Sequence, residues 1–375
     1  MTLSIQKRPA NHVAWIGLLA LFCGACGGAR NGGDSTPTDK YFAYVTNQFS
    51  NNVSAFTIDI TSGAMTPVVG SPFSAGSTPT SVAVDPSGRF AYVTNQGSDT
   101  ISAFTINAST GKLTPIRGSP FDAGHAPVYC VVTPSGKVLL VAKPYSNSVD
   151  AFSIDETSGA LARTVSSGGM NSPNSITVDP SGKFAYVPYM GAGTVSAFAV
   201  SEVTGALSEI ASSPFAVEIY PYYVAVDPSG KFAYVPNYYS DNVSAFTVNS
   251  SSGALTPVSG SPFPVRPGPI FIVFDLSGKF AYVADCPSSS ISAFSIDAST
   301  GALTPVAGSP FAVQPMAASI AVDPLGKFLY VANSETDQVS AFSINPYTGV
   351  LAEISGSPFA AADCPCFVTV CRIAR

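Results

Sequence analysis

The sequence predicts a seven-bladed β-propeller, and three observations lead to this fold class. A short segment centred on Tyr-Val or Leu-Val occurs seven times, at Tyr44, Tyr92, Leu140, Tyr186, Tyr234, Tyr282 and Tyr330. Successive copies are 48 residues apart, except for one interval of 46 residues between the third and the fourth. Each copy carries four strand-length segments separated by turns rich in Gly and Pro. A fixed period of this length with four strands per repeat is typical of a propeller, whose blades pack radially.

The copy at residues 79–122 shows how the strands of one blade are predicted. Strands A to D cover residues 81–84, 90–94, 101–106 and 112–116. Asp85-Pro86-Ser87-Gly88 fits a type I turn between strands A and B, because Pro favours the second position and Gly the fourth. Small and large apolar residues alternate in strands A to C, which indicates that both faces of each blade are packed.

The two ends of the repeat region complement each other. The domain begins near Lys40 with a strand B, residues 41–46, and no strand A precedes it. It ends with residues 365–371, which align with a strand A and have no strand B after them. The last strand is therefore predicted to complete the first blade, which closes the ring and hides the sheet edges.

The N-terminus is predicted to lie outside this domain. Lys7 and Arg8 precede an apolar run over residues 13–22, which is too short to span a bilayer and is typical of a signal peptide. We assign residues 1–25 to this leader and residues 26–39 to a flexible tether, before a propeller over residues 40–375. Cys26 follows small residues as in a bacterial lipobox, so we expect lipidation there. The expected location is the cell envelope, by lipid anchor, or the medium by secretion.

The repeats also resemble a known family. Tyr-Val-Thr-Asn at residues 44–47 and 92–95, together with the Asp-Pro-Ser-Gly and Ser-Ala-Phe segments, is similar to the bacterial YVTN-repeat propellers. These belong to the seven-bladed lactonase-like superfamily, which includes 6-phosphogluconolactonase-type and muconate-lactonising proteins. The resemblance covers residues 40–373 and implies the propeller fold. The matching residues are turn and core positions, and no catalytic motif of the enzymatic members matches this chain residue by residue.

Differences between the copies point to functional residues. A basic residue follows the A–B turn in six copies and is expected to be a solvated ring (Arg89, Lys137, Lys183, Lys231, Lys279 and Lys327). On the opposite face the copies diverge, and the candidate residues there are His125, Lys143, Glu218, Arg266, Asp285, Tyr220, Tyr222 and Tyr223. Glu218 or His125 would act as a general base, and the cations and Asp285 would bind a ligand. The tyrosines would stack on a sugar ring. Each also has a structural alternative: a solvated loop, a surface pair between Arg266 and Asp285, or core packing.

Three functions remain open from the sequence. The first hypothesis is a cell-envelope binding or interaction module that uses the channel mouth or blade rims. The alternatives are a lactone hydrolase, with Arg266 and Lys143 holding an anionic group, and a purely structural surface repeat. The expected partner is an envelope protein or a small carbohydrate or lactone, with membrane contact only through the lipid anchor, and the protein is expected to be a monomer. A net charge of −6 without a basic cluster argues against nucleic acid. No cofactor and no metal site are expected.

Overall fold

The computed structural model describes residues 39–374, which form seven antiparallel blades of four strands each. This confirms the predicted seven-bladed β-propeller. The predicted leader, the lipidation candidate Cys26 and the tether up to residue 38 lie outside the described residues. Within residues 39–374, no helix has the length and apolar character needed to cross a membrane.

The strands are numbered in chain order around the ring. In six blades the outer strand D is split into two parts, and each part has its own number. Blades 1 to 3 contain β1 (Lys40–Asn47), β2 (Asn52–Ile58), β3 (Met65–Pro67), β4 (Phe73–Ser74), β5 (Pro79–Val84), β6 (Phe90–Asn95), β7 (Thr100–Ile106), β8 (Leu113–Pro115), β9 (Phe121–Asp122), β10 (Tyr129–Val132), β11 (Val138–Lys143), β12 (Ser148–Ile154) and β13 (Leu161–Ser167). Short 3₁₀ helices occupy Gln96–Ser98 and Pro144–Ser146.

The remaining strands build blades 4 to 7 and end in the strand that returns to blade 1. They are β14 (Thr177–Val178), β15 (Phe184–Tyr189), β16 (Thr194–Val200), β17 (Leu207–Glu209), β18 (Phe215–Ala216), β19 (Ala225–Val226), β20 (Phe232–Asn237), β21 (Asn242–Val248), β22 (Leu255–Pro257), β23 (Phe263–Pro264), β24 (Pro269–Phe274), β25 (Phe280–Asp285), β26 (Ser290–Ile296), β27 (Leu303–Pro305), β28 (Phe311–Ala312), β29 (Ala317–Val322), β30 (Phe328–Asn333), β31 (Gln338–Ile344), β32 (Leu351–Glu353), β33 (Phe359–Ala360) and β34 (Pro365–Ile373).

The ring closes as the sequence predicts. The strand order of blade 1 is β3-β2-β1-β34, so the C-terminal strand is its innermost strand. The pairing of β34 with β1 runs from Lys40 opposite Ile373 to Asn47 opposite Pro365. Closure gives blade 1 its fourth strand and pairs the edge of β1, to which another chain could otherwise add a strand.

The A–B turn is held by its aspartate. In blade 2, Asp85 is buried, and its Oδ1 accepts a hydrogen bond from the Phe90 backbone N–H at 2.6 Å. Gly88 takes φ +72° at the end of this turn, a conformation that favours glycine. The same aspartate contact recurs at Asp179, Asp227, Asp275 and Asp323. These carboxylates brace the scaffold and are not presented for acid–base chemistry.

The repeated tyrosine joins each blade to the next. Tyr92 on strand B of blade 2 donates a hydrogen bond from its hydroxyl to the carbonyl oxygen of Gly159, in the C–D turn of blade 3. The same bond links Tyr44 to Gly111, Tyr186 to Gly253, Tyr234 to Gly301, Tyr282 to Gly349 and Tyr330 to Gly63. Blade 3 has Leu140 at this position and so lacks the bond to blade 4.

Blade 3 also has a different outer strand. In the other six blades the outer strand is split by a turn at a cis Ser–Pro bond, as at Ser119-Pro120. The Ser119 hydroxyl there accepts a hydrogen bond from the Ala103 N–H of strand C. In blade 3 the outer strand β13 is continuous and pairs with β12 along its length. The loss of this turn explains why one sequence interval is 46 residues instead of 48.

Candidate functional site

An Asn–Ser pair recurs on the B–C face, which is the face formed by the B–C loops and the D–A links. In blade 2, Asn95 at the end of strand B donates from Nδ2 to Ser102 Oγ at 3.0 Å. Its Oδ1 accepts the N–H of Gly76 in the link at 3.1 Å. The same Asn–Ser bond is present in blades 1, 5 and 7, between Asn47 and Ser54, Asn237 and Ser244, and Asn333 and Ser340. This pair is scaffold, so blades that replace it are candidates for function.

Blade 3 replaces the pair with two charges. Lys143 stands at the asparagine position and Asp150 at the serine position. Lys143 Nζ lies 2.5 Å from Asp150 Oδ2, and both side chains are buried. A buried charge is costly unless it is paired, so neither residue is free to change alone.

A second cation completes this buried cluster. Arg163 Nη1 lies 3.3 Å from Asp150 Oδ2, and Nη2 lies 3.6 Å from Asp122 Oδ2. Ser166 donates to Asp150 Oδ1 at 2.6 Å. The Arg163 side chain retains 38% exposure and packs over the Phe152 ring. Arg163 is therefore the cation of this cluster that a ligand can reach, whereas Lys143 is enclosed.

His125 lies directly above this cluster, in the link that enters blade 3. The preceding residue, Gly124, takes φ +68°, and a Cβ there would lie 3.2 Å from Lys143 Nζ and 3.3 Å from Arg163 Nη2. Glycine thus lets the link pass close over both cations. His125 Nδ1 lies 3.6 Å from Asp99 Oδ1, and the His125 side chain is 68% exposed. The carboxylate lies farther from the ring than a hydrogen bond but close enough to attract the imidazole, and the exposed ring is accessible to a ligand.

Asp99 has a structural role besides its contact with His125. Its Oδ1 accepts the N–H of Ala126 at 2.7 Å, and its carbonyl oxygen accepts the N–H of Ala123. Equivalent bonds to the incoming link are formed by Asn51, Asn147, Asp241 and Asp337. The position is therefore common to several blades, and the histidine beside it is what distinguishes this junction.

Aromatic side chains lie beside His125 and elsewhere on the B–C face. The rings of His125 and Tyr145 have centroids 6.1 Å apart. Burial raises the pKa of Tyr220, and the nearby phenols of Tyr239 and Tyr145 raise it further. Tyr220 lies 4.7 Å from Tyr239 and 6.0 Å from Tyr238 between ring centroids. Direct ring contacts therefore form two groups on this face, one of His125 with Tyr145 and the other of Tyr220 with Tyr238 and Tyr239.

The other predicted residues are distributed among these and neighbouring blades. Glu218 is exposed in the link that enters blade 5, two residues before Tyr220. Arg266 is exposed on blade 6 and lines a shallow depression with Pro267, Ser288 and Pro310.

Asp285 lies beneath that link and is fully buried, so it does not form the surface pair with Arg266 that was considered from the sequence. Burial raises the pKa of Asp285 to about 8, although hydrogen bonds from Ser292 and Ser290 and the charge of Arg266 oppose this. Its Oδ2 lies 2.7 Å from Ser292 Oγ, which is the geometry of the Asn–Ser pair in other blades. Asp285 therefore belongs to the scaffold position and does not face the mouth.

Three predicted ligand contacts are thus covered. Lys143 and Asp285 lie under the links, and Tyr222 is buried against Phe271 and Tyr238. Tyr223 is buried as well, with its ring 5.1 Å from that of Phe271. For Tyr222 and Tyr223, the structure therefore agrees with the core-packing alternative. The exposed aromatic surface is formed by neighbouring tyrosines such as Tyr239.

Sequence reasoning missed Asp99, Asp150, Arg163, Tyr145 and Tyr239. Three signals were present in the repeats. Asp150 is the one non-serine in the segment that otherwise begins with Ser-Ala-Phe, and Arg163 replaces a Pro or Glu of the other outer strands. The short interval lies in the same blade. Because all three signals fall in the same repeat, together they indicate that blade 3 differs from the others.

The A–B turn face, opposite the B–C face, carries an apolar cavity. Its volume is about 70 Å³, and its mostly apolar walls include Val178, Val226 and Val273. Tyr223 forms part of its lining. None of the predicted charged residues lines it, so the cavity and the histidine junction are separate features.

The five cysteines of residues 39–374 are buried free thiols, and none forms a disulfide there. Among these residues, no group of three or more His, Cys, Asp or Glu side chains is arranged to hold a metal ion.

Comparison with known proteins assigns the chain to a family. A family model described as lactonase, 7-bladed β-propeller, matches residues 28–178, 166–274 and 269–369. The chain belongs to this family. No curated protein matches the chain.

Solved structures of similar fold include a putative 6-phosphogluconolactonase from Bacteroides fragilis, with a TM-score of 0.80, 20% identity and coverage of 90% of this chain and 100% of the other. A second putative 6-phosphogluconolactonase, from Bacteroides uniformis, has a TM-score of 0.78 and 19% identity over 88% of this chain and 99% of the other. A periplasmic gluconolactonase from Pseudomonas aeruginosa has a TM-score of 0.77 and 18% identity over 89% and 99%. At such low sequence identities, the structural similarity is evidence for the shared fold alone.

The family assignment corrects the first functional hypothesis. A cell-envelope binding module was expected, with lactone hydrolysis as an alternative. The match to the lactonase family overturns that order, and the hydrolase alternative is better supported. The earlier hypothesis was wrong because it weighed the absence of a transferable catalytic motif above the resemblance of the repeats.

Proposed function

We propose that this protein hydrolyses a lactone to the corresponding hydroxy acid, with His125 as the general base. The observation that carries the proposal is the His125–Asp99 contact in a solvent-open link, in a member of the lactonase family. Beside this contact, blade 3 carries the buried Lys143–Asp150 pair. The other blades keep the Asn–Ser pair at this position or a neutral variant of it.

The proposed reaction is attack of water on the lactone carbonyl. The Asp99 carboxylate favours the tautomer with hydrogen on His125 Nδ1, so Nε2 is free to accept a proton from water. The water oxygen bonds to the carbonyl carbon and gives a tetrahedral oxyanion. Collapse of this intermediate breaks the bond to the ring oxygen, which takes the proton back from Nε2 as it leaves. The product is an open-chain hydroxy acid, and the imidazole is neutral again.

Arg163 supplies positive charge near this reaction. Its guanidinium lies against Gly124, the residue before His125, and remains partly exposed. We propose that it attracts the developing oxyanion and the carboxylate product. A charge-assisted hydrogen bond of this kind contributes about 1.5–3 kcal/mol. Asp122 and Asp150 hold the guanidinium in place, so little order is lost when substrate binds.

The site would operate outside the cytoplasm. We propose export through the leader at residues 1–25 and lipid attachment at Cys26, supported by the apolar run and the small residues before that cysteine. Metabolic labelling with a palmitate analogue tests this: the wild type should be labelled and Cys26→Ala should not. Labelling that persists in Cys26→Ala would contradict the anchor at this residue.

Hydrolysis itself is tested with a panel of lactones in a pH-stat. The purified protein should release acid from at least one sugar lactone or aliphatic lactone above the spontaneous rate. Arg163→Met should lower kcat/KM about tenfold or more, and Glu218→Gln, in the link that enters blade 5, should leave it within twofold. Acid release at the spontaneous rate for every lactone would overturn the proposal.

A further inference from the structure

The B–C face carries an exposed aromatic surface that the proposed reaction does not use. Its members are Tyr145, Ile219, Tyr220, Tyr238 and Tyr239, which we call the tyrosine platform. Tyr239 is 60% exposed and Tyr145 is 52% exposed. Large exposed aromatic side chains grouped in one place mark binding surfaces.

The rings of the platform support one another. Tyr238 and Tyr239 meet edge to face with centroids 4.9 Å apart, and Tyr220 lies 4.7 Å from Tyr239 at an interplanar angle of 55°. Beneath them, Tyr222 is buried and lies 6.3 Å from Tyr238. Tyr220 adopts φ +65°, as residues at the same link position do in other blades, for example Thr78 (φ +54°) and Ala126 (φ +48°). This backbone conformation therefore belongs to the scaffold, and the tyrosine is what distinguishes the link. A supported set of rings loses little conformational freedom when a ligand binds.

The charged residues beside the platform are two carboxylates and one cation. Arg266 is exposed in the link that enters blade 6, two residues before Gly268, where a Cβ would lie 3.2 Å from the Tyr238 ring. Glu218 is exposed two residues before Tyr220. Asp241 follows Tyr239 by two residues and accepts the N–H of Gly268 through Oδ1. Lys143 is enclosed by its pairing with Asp150, and the partly exposed Arg163 lies against Gly124, beside His125. Around the platform itself, Glu218, Asp241 and Arg266 give a net charge of −1. This surrounding charge disfavours a phosphorylated or otherwise anionic ligand.

From this geometry we infer that the tyrosine platform binds an uncharged saccharide, and that the substrate of the site is the lactone end of a neutral sugar or oligosaccharide. The apolar C–H faces of a pyranose match aromatic faces, and phenol hydroxyls at the rim match sugar hydroxyls. A sugar held on Tyr220 and Tyr239 would extend over the same face toward Tyr145 and His125, whose ring centroids are 6.1 Å apart, and would bring its lactone end to the base. The substrate part of this inference rests on the proposed hydrolysis, whereas the saccharide binding does not.

Binding and hydrolysis are measured separately, so that their failures are distinguishable. Calorimetric or NMR titration with cellobiose, maltose and lactose tests binding without any reaction. At least one disaccharide should bind, and Tyr239→Ala should weaken its affinity about fivefold or more. Tyr347→Ala is the matched control, because Tyr347 is 90% exposed in a C–D turn and should change nothing. No binding of any disaccharide would overturn the inference.

Hydrolysis is then compared for cellobionolactone, δ-valerolactone and 6-phosphogluconolactone. Tyr239→Ala should raise KM for cellobionolactone about fivefold or more and affect δ-valerolactone less, whereas the control Tyr347→Ala should leave kcat/KM for both lactones within twofold. Saccharide binding without any hydrolysis would refute the proposed reaction and keep the platform. A preference for the phosphorylated lactone, or equal losses for all three lactones, would overturn the assignment of a neutral sugar.

Discussion

The hydroxyl of Tyr330 donates a hydrogen bond to the carbonyl oxygen of Gly63 at 2.9 Å, across 267 positions of sequence, and so ties the last blade to the first. Tyr330 is fully buried, as is its counterpart in the other blades that keep the tyrosine. The repeated tyrosine is thus an interblade contact, and its role explains why it returns with the blade period.

Removal of this hydroxyl should weaken the ring. Tyr330→Phe leaves the Gly63 carbonyl without its partner and should lower the free energy of unfolding by about 1–2 kcal/mol in urea denaturation. Tyr347→Phe, at an exposed tyrosine, is the control and should have no measurable effect. Equal stabilities of Tyr330→Phe and the wild type would show that the bond does not support closure.

Removal of the closing strand should be far more damaging. Deletion of residues 364–375 removes β34 and exposes the inner edge of β1 over eight residues. We expect insoluble protein, whereas deletion of residues 374–375 alone should leave a soluble one. A soluble truncation that melts cooperatively would contradict the closure mechanism.

The buried charges of blade 3 should depend on each other. Lys143→Met leaves Asp150 buried with a single cation and should cost about 3–5 kcal/mol of stability. The double variant Lys143→Asn, Asp150→Ser restores the pair of the other blades and should recover most of this loss. Urea denaturation of Lys143→Asn, of Asp150→Ser and of the double variant measures the coupling, and additive losses for the two single variants would argue against it.

Asp285 should make stability depend on pH. Its pKa is raised to about 8 in the folded protein, chiefly by burial, and an unfolded aspartate titrates near 3.9. The folded state therefore binds the proton more tightly, so its contribution to stability is full below about pH 4 and declines as pH rises toward 8.

Asp285→Asn tests this directly, because asparagine keeps the bond to Ser292 and carries no charge. The difference in unfolding free energy between the variant and the wild type should grow from pH 4 to pH 8 in favour of the variant, by up to about 1.4 kcal/mol per pH unit. A difference that stays constant with pH would mean that Asp285 is ionised in the folded protein at neutral pH.

Most of the fold was predictable because the same strand and turn pattern occurs in seven copies in the sequence. The aspartate of the A–B turn, the strand-length runs and the unmatched last strand each have a local physical reason that a sequence displays. Asp85 and Gly88 illustrate this, since turn chemistry alone places both. The interblade bond of Tyr330 was not predictable, because nothing local indicates which carbonyl the hydroxyl reaches.

The site was predictable only in part. His125 stood out as a histidine in a divergent link, but its partner Asp99 occupies a position that also serves the scaffold. The sequence predicts Lys143 as a ligand-binding cation. In the structure it is buried because it pairs with Asp150, which lies seven residues away on the next strand. Arg163 lies on an outer strand, and its approach to the link depends on the lost Ser–Pro turn, which a linear reading does not show.

The central claim is that a lactone is hydrolysed at His125. The most direct measurement is kcat for the best lactone of the panel, compared between the wild type and His125→Asn, with matching thermal unfolding curves for the two proteins. If His125 is the general base, His125→Asn should lower kcat about 10²–10⁴-fold, which is the usual contribution of such a base. An unchanged kcat in a fully folded His125→Asn variant would contradict the claim and place the chemistry elsewhere on the propeller.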